Sequence, residues 1–251
     1  MPIAHRRIGT GPIRVIVLHD WFGTSANWGS ALDYLDPDAF SWAFLDYRGY
    51  GERRDVPGRF DVPEIAEDAL ALADELGWDT FSLIGHSMGG KAIQQVLVRA
   101  PERVEKLIGL TPVPAAPYEM DEATLGLFQG AAESADTRRV LIDTVTGNRA
   151  SGHWLDRMAA HSVEISEKNA FASYLESWRT LDLSDQIKGS EVPVLVLVGE
   201  YDAALTAEVM RATWSVWYPN ARVHTLPGAG HYPPQETPVA FVAEAESFLR
   251  S

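Results

Sequence analysis

The chain has 251 residues, enough for one large domain with a sizeable core, and its 46% hydrophobic content is that of an ordinary globular protein. A formal charge of -14, from 35 Asp and Glu against 21 Lys and Arg, argues against nucleic acid or an anionic membrane as a partner. There is no cysteine, which excludes disulfides, thiolate metal sites and a cysteine nucleophile. No apolar run approaches a membrane span, and the start, MPIAHRRIGTG, lacks the apolar core of a secretory leader, so the expected compartment is the cytoplasm.

After that polar start, Ile13 to Leu18 (IRVIVL) is a continuous apolar run, as expected of a strand buried on both faces. It leads into a loop, His19-Asp20-Trp21-Phe22-Gly23-Thr24, and Trp28 to Leu35 then reads as helix. Phe40 to Leu45 predicts another strand, closed by Asp46-Tyr47-Arg48-Gly49-Tyr50-Gly51. A helix follows from about Pro63 to Leu76, with Ile65, Ala69, Leu72 and Leu76 on one face. Thr80 to Lys91 (TFSLIGHSMGGK) gives a short strand, a glycine-rich corner and the start of a helix through Ile93, Val96 and Leu97. Val104 to Leu110 is a further strand, ending at Thr111-Pro112.

The alternation then stops. From Val113 to about Gln186 the pattern is helical and aromatic, with Tyr118, Phe128, Trp154, Phe171, Tyr174 and Trp178. It resumes with a strand in Val192 to Gly199, a helix from Val209 to Trp217, a strand at Ala221 to Leu226 and a last helix from about Pro238 to Arg250. This spacing predicts an α/β fold: a mostly parallel sheet covered by helices on both faces, built from 1–112 and 187–251. The block 113–186 reads as a helical cap inserted after a strand, on the side where ligands of such sheets bind.

Gly85-His86-Ser87-Met88-Gly89 at a strand-to-helix corner has a mechanical meaning. So sharp a turn leaves no room for β-carbons beside the serine and makes its hydroxyl stand proud of the sheet. A serine hydroxyl needs a base to take its proton, and the base a carboxylate to fix its tautomer. Of seven histidines, His231 lies in a glycine-rich loop after the last strand, where its ring can reach over the sheet edge. His224 sits within that strand and reads as structural, His5 as surface, and His153 and His161 belong to the roof. His86 diverges from its neighbour on a sharp turn and suits packing, though it also borders the substrate space. Asp202, in the loop after the Val194–Val198 run, is favoured as the carboxylate because a turn can aim it at His231, with Glu200 as its rival. The order Ser87, Asp202, His231 is one of the known orders for this machinery. The developing oxyanion needs amide donors, expected from the backbone N–H of Met88 and of Trp21.

Taken together, Gly85-His86-Ser87-Met88-Gly89-Gly90, Asp46 to Gly51, Gly199-Glu200-Tyr201-Asp202 and Gly230-His231 resemble the α/β-hydrolase fold family. Within it, the similarity is to the small capped group of esterases, C–C bond hydrolases and cofactor-free haloperoxidase-like perhydrolases. The resemblance spans the core and implies that Asp46 to Gly51 is a structural turn. Where the family usually has His-Gly in the oxyanion loop, this chain has His19-Asp20, so Asp20 is expected to turn away from the oxyanion and bond locally. Lys91, on a helix heavily packed in this family, is expected to reach out to solvent.

The reading is a serine esterase for small to medium, largely apolar esters. Trp21, His86, Phe128, Trp154 and Trp178 are the candidate substrate contacts. Perhydrolysis or C–C cleavage with the same triad, and a slow ligand receptor on this fold, are the alternatives. The sequence carries no metal-ligand cluster or dinucleotide fingerprint, and a serine nucleophile calls for no cofactor. The expected partner is a small-molecule ester, with the chain acting as monomer or homodimer.

Overall fold

The computed structural model describes residues 3–251. Seven strands form one sheet: β1 (His5–Ile8), β2 (Ile13–Leu18), β3 (Phe40–Leu45), β4 (Phe81–His86), β5 (Val104–Leu110), β6 (Val194–Gly199) and β7 (Ala221–Leu226). Their spatial order is β1-β3-β2-β4-β5-β6-β7, with β1 antiparallel to β3 and every other pairing parallel. Position in the sheet explains the apolar runs: the interior strands β4 and β6 are buried along their whole length, and β2 along its last four residues. β1 hides in what reads as a polar start, because an edge strand with one open side needs no apolar run.

Helices α1 (Val62–Glu75) and α2 (Met88–Arg99) cover one face of the sheet, α11 (Pro238–Arg250) the other. Helix α1 begins where Asp61 accepts the Glu64 N–H at 2.7 Å, with Pro63 in its first turn, and it buries Ile65, Ala69 and Leu72. The stretch expected as helix from Trp28 is a 3-10 helix over Gly29–Tyr34. The one expected from Val209 to Trp217 breaks at Thr213 into α8 (Ala207–Ala212) and α9 (Trp214–Trp217). His224 lies in the edge strand β7 with its side chain toward solvent.

Between β5 and β6 the chain runs through α3 (Glu122–Gly130), α4 (Ala135–Val145), α5 (Gly152–Ile165), α6 (Lys168–Thr180) and the single turn α7 (Ser184–Ile187). Asp121, Ser134, Ser151 and Glu167 each cap the first turn of one of the four longer helices. The inserted helices share the larger core cluster with α1, α2 and the sheet. Lys91 does not reach solvent. It is 0% exposed, because the chain segments that enter and leave the insertion cross over α2 there and offer it backbone carbonyls. No helix among the described residues is long and apolar enough to cross a membrane. The short helix α10 (Pro233–Glu236) precedes α11 and bears on the site.

Candidate active site

Ser87 sits between β4 and α2 with φ 53° and ψ -114°, a conformation that side chains other than glycine rarely adopt. The flanking glycines make it possible. A β-carbon on Gly85 would lie 2.2 Å from the Gly89 carbonyl oxygen, and one on Gly89 would lie 2.4 Å from that of Leu18. The turn is locked by the Ser87 N–H donating to Leu110 O at 3.0 Å, while Ser87 O accepts from Gly90 and Val113 at 2.8 and 2.9 Å.

His231 arrives on the loop after β7, 6% exposed, with Nδ1 2.6 Å from Asp202 Oδ2. The other oxygen of Asp202 accepts the N–H groups of Ala204 and Leu205, both at 2.9 Å. Burial opposes a charge on His231, yet the attraction and hydrogen bond of Asp202, helped by Asp20 and Glu236, raise its pKa above the ordinary value. Burial also pushes the Asp202 carboxyl up, but His231 and the two backbone N–H groups outweigh it, and its pKa is lowered. Glu200, the rival carboxylate, is exposed and accepts the Gly228 N–H at 2.9 Å, which places it under the histidine loop and not beside the ring.

The His231 main chain is clamped from all sides. Its carbonyl meets His86 Nε2 at 2.7 Å and Thr111 Oγ1 at 3.2 Å, and its N–H donates to Val145 O at 3.2 Å. Glu236 in α10 accepts the N–H groups flanking it, Gly230 at 2.8 Å and Tyr232 at 2.9 Å. The sequence offers a hint of Glu236 only in hindsight, as an acid a few residues past the histidine, held by Pro233 and Pro234. His86 is driven down to about 4 by burial above all, so its ring is neutral near pH 7.

In the loop after β2, Asp20 turns one carboxylate oxygen back on its own chain and the other toward His86, with Oδ1 3.7 Å from His86 Nδ1. Its Oδ2 accepts the Phe22 N–H at 3.2 Å and its main-chain carbonyl takes His19 Nδ1 at 2.7 Å. Trp21 N–H is left without a protein partner among the described residues. Met88 is the first residue of α2, where an N–H has no acceptor within the helix. The turn after β3 anchors this loop: Tyr47 Oη donates to His19 O and Tyr50 Oη to Trp21 O, each at 2.8 Å. Trp21 Nε1 donates in turn to Phe171 O of α6 at 2.8 Å, which ties the loop to the insertion.

One cavity of about 50 Å³ brings Ser87 and His231 together with Trp21, Phe22, Tyr118, Phe128, Leu141 and Trp178. Ser87 Oγ has no hydrogen bond to the His231 ring, whose Nδ1 is taken by Asp202. The apolar wall of the cavity is a cluster of rings. Trp21 stacks on Phe128 at 5.8 Å and meets Trp178 edge-on at 6.0 Å. Phe22, Leu141, Val145 and Leu205 in this wall escaped the sequence reading, since nothing local marks an apolar residue as cavity-facing. Two candidate contacts lie elsewhere. Trp154 packs edge-on against Tyr232 and donates to Gln235 Oε1 at 3.1 Å, in a surface groove with Arg149 and Gly228. His86 is buried beneath the His231 loop. The larger groove between Asn27 and His161, about 410 Å³, holds neither Ser87 nor His231. Among the described residues no group of three or more His, Asp or Glu converges to hold a metal.

The sequence profile of the alpha/beta hydrolase fold matches residues 13–237. Carboxylesterase YbfK of Bacillus subtilis is 29% identical over 94% of this chain and 79% of its own. Pimeloyl-[acyl-carrier protein] methyl ester esterase of Yersinia enterocolitica is 26% identical, covering 93% of this chain and 92% of its own. Among solved structures, the esterase EaEST of Exiguobacterium antarcticum superposes with a TM-score of 0.86 at 21% identity, covering 99% and 96% of the two chains, a likeness of fold. With its sheet order, its strained serine corner and a profile match over most of its length, the chain belongs to the α/β-hydrolase fold family.

Proposed function

We propose that the protein is a carboxylesterase for small to medium, largely apolar esters, with Ser87 as nucleophile, His231 as base and Asp202 as its orienting carboxylate. One observation carries the reading: a strained serine shares an apolar cavity with a histidine whose far nitrogen is held at 2.6 Å by a buried aspartate. The relatives named as a carboxylesterase and as a methyl ester esterase support ester chemistry.

In this mechanism Ser87 Oγ attacks the ester carbonyl while His231 Nε2 takes its proton. Asp202 keeps the proton on Nδ1 and stabilises the imidazolium. The N–H groups of Met88 and Trp21 donate to the oxyanion, each of which is worth about 3 to 4 kcal/mol of barrier where such donors have been removed. The imidazolium then protonates the departing alkoxide, and water, activated by the same histidine, releases the acid from the acyl-enzyme. The inserted block 113–186 acts as a cap whose Phe128 and Trp178 receive the apolar acyl group.

The test is hydrolysis of p-nitrophenyl esters from acetyl to dodecanoyl by the wild type and by Ser87→Ala. The expected result is a loss of at least about 10⁴-fold in kcat for the variant, and a wild-type preference for butanoyl or hexanoyl over acetyl. A variant that keeps its rate, or a wild type inert on every ester, overturns the assignment.

A further inference from the structure

Lys91 is the third residue after Met88 in α2, one helical turn from Ser87, and its side chain is sealed from water. A buried ammonium normally has a carboxylate beside it. This one has none within salt-bridge distance among the described residues; Asp182, which acts on it through space, is exposed and bonded to Ser184. Its three N–H bonds go instead to three backbone carbonyls: Ala116 O at 3.0 Å, Trp178 O at 2.9 Å and Leu181 O at 2.5 Å.

Those acceptors have a meaning in the fold. Ala116 lies on the segment that leaves the sheet after β5, whereas Trp178 and Leu181 lie at the end of α6 and on the segment returning toward β6. The two crossings also bond to each other, Tyr118 N–H to Arg179 O at 2.8 Å and Leu183 N–H to Ala115 O at 3.0 Å. A single ammonium on the serine-bearing helix thus holds both ends of the inserted block. Burial drives this ammonium down to about 7, and a geometry that uses all three of its protons on carbonyl oxygens works against that fall.

We propose that Lys91 is a positioning residue that fixes the inserted helices over Ser87, so that Trp178 holds the apolar wall of the substrate cavity in register with the nucleophile. Lys91 touches neither the substrate space nor Ser87, so its influence falls on acyl groups long enough to reach Trp178 and Phe128. Acetyl groups, which end short of that wall, are spared. The inference rests on the serine-esterase reading.

The experiment compares wild type, Lys91→Met and Lys91→Gln on p-nitrophenyl acetate and hexanoate. The Gln variant keeps two donors and stands in where the Met variant does not fold. The expected result is a rise of at least fivefold in KM for the hexanoate with kcat on the acetate within twofold, so that the preference for the longer acyl group collapses. Equal losses on both esters, or no change on either, overturn the proposal. Hydrogen exchange of the wild type and of Lys91→Gln reads the clamp without catalysis. Segments 113–118 and 178–183 should exchange at least tenfold faster in the variant while β5 is unchanged, and equal exchange in the two proteins overturns the proposal. A wild type inert on all esters removes the esterase reading, and the exchange rates then decide the clamp independently of it.

Discussion

His231 is held between opposing effects, and their balance sets a measurable pH dependence. Burial favours the neutral ring, while Asp202 at 2.6 Å favours the charged one and prevails, raising the pKa above 6.5. The base proposed here must be unprotonated to act, so kcat/KM should climb with pH through a midpoint above 6.5. In Asp202→Asn the chief raising cause is gone and burial is left to dominate. The midpoint should then move to lower pH while kcat falls roughly 10³- to 10⁴-fold, because nothing fixes the proton on Nδ1. A pH–rate profile of both proteins checks this, and an unmoved midpoint would show that Asp202 is not what charges His231.

The loop that carries His231 owes its shape to α10. Both oxygens of Glu236 are occupied by the N–H groups of Gly230 and Tyr232, one on each side of the histidine. Charge-assisted bonds of this kind contribute about 1.5 to 3 kcal/mol each. Glu236→Gln keeps a single carbonyl acceptor and loses the charge, so one of the two N–H groups is left unpaired. The expected outcome is a fall in kcat of about tenfold with KM unchanged, and a lower urea midpoint, because the ring is misplaced while the cavity wall stays intact. Steady-state kinetics with equilibrium unfolding would read both, and a KM effect with kcat preserved would place Glu236 in substrate binding instead. The serine corner, by contrast, has its rigidity from backbone packing alone, since Gly85 and Gly89 approach other main-chain atoms too closely for any side chain.

The cavity beside Ser87 belongs to no single part of the chain. The sheet loops supply Ser87, Trp21 and His231, and the insertion supplies Phe128, Leu141, Val145 and Trp178. Phe128, half-buried on α3, closes that space against Trp21 and Trp178. Phe128→Ala should therefore open room for longer acyl groups. Each additional methylene that finds apolar cover is worth up to about 0.8 kcal/mol, a few-fold in kcat/KM. The optimum acyl length should move up by two carbons or more with Ser87 reactivity on the acetyl ester retained. An unchanged length profile would remove Phe128 from the acyl wall.

Much of this was legible in the residues. The apolar runs of β2, β3, β4 and β6 were plain because strands buried on both faces are mostly apolar, and the Ser87 corner was plain because its turn leaves room only for glycine at 85 and 89. The meeting of His231 and Asp202 was legible in their loops at the carboxyl ends of strands, where topology leaves few places for partners. Tertiary structure alone decided the rest, because it depends on which distant segments meet. Glu200 and Asp202 are two residues apart, and only the path of the loop sends one under the histidine and the other to its ring. Trp154 and Trp178 are both aromatic residues of the insertion, and helix packing puts one on the surface groove and the other in the cavity. Lys91 reads as a surface side chain by composition, and it is buried because the chain crosses it twice with carbonyls that no local pattern announces.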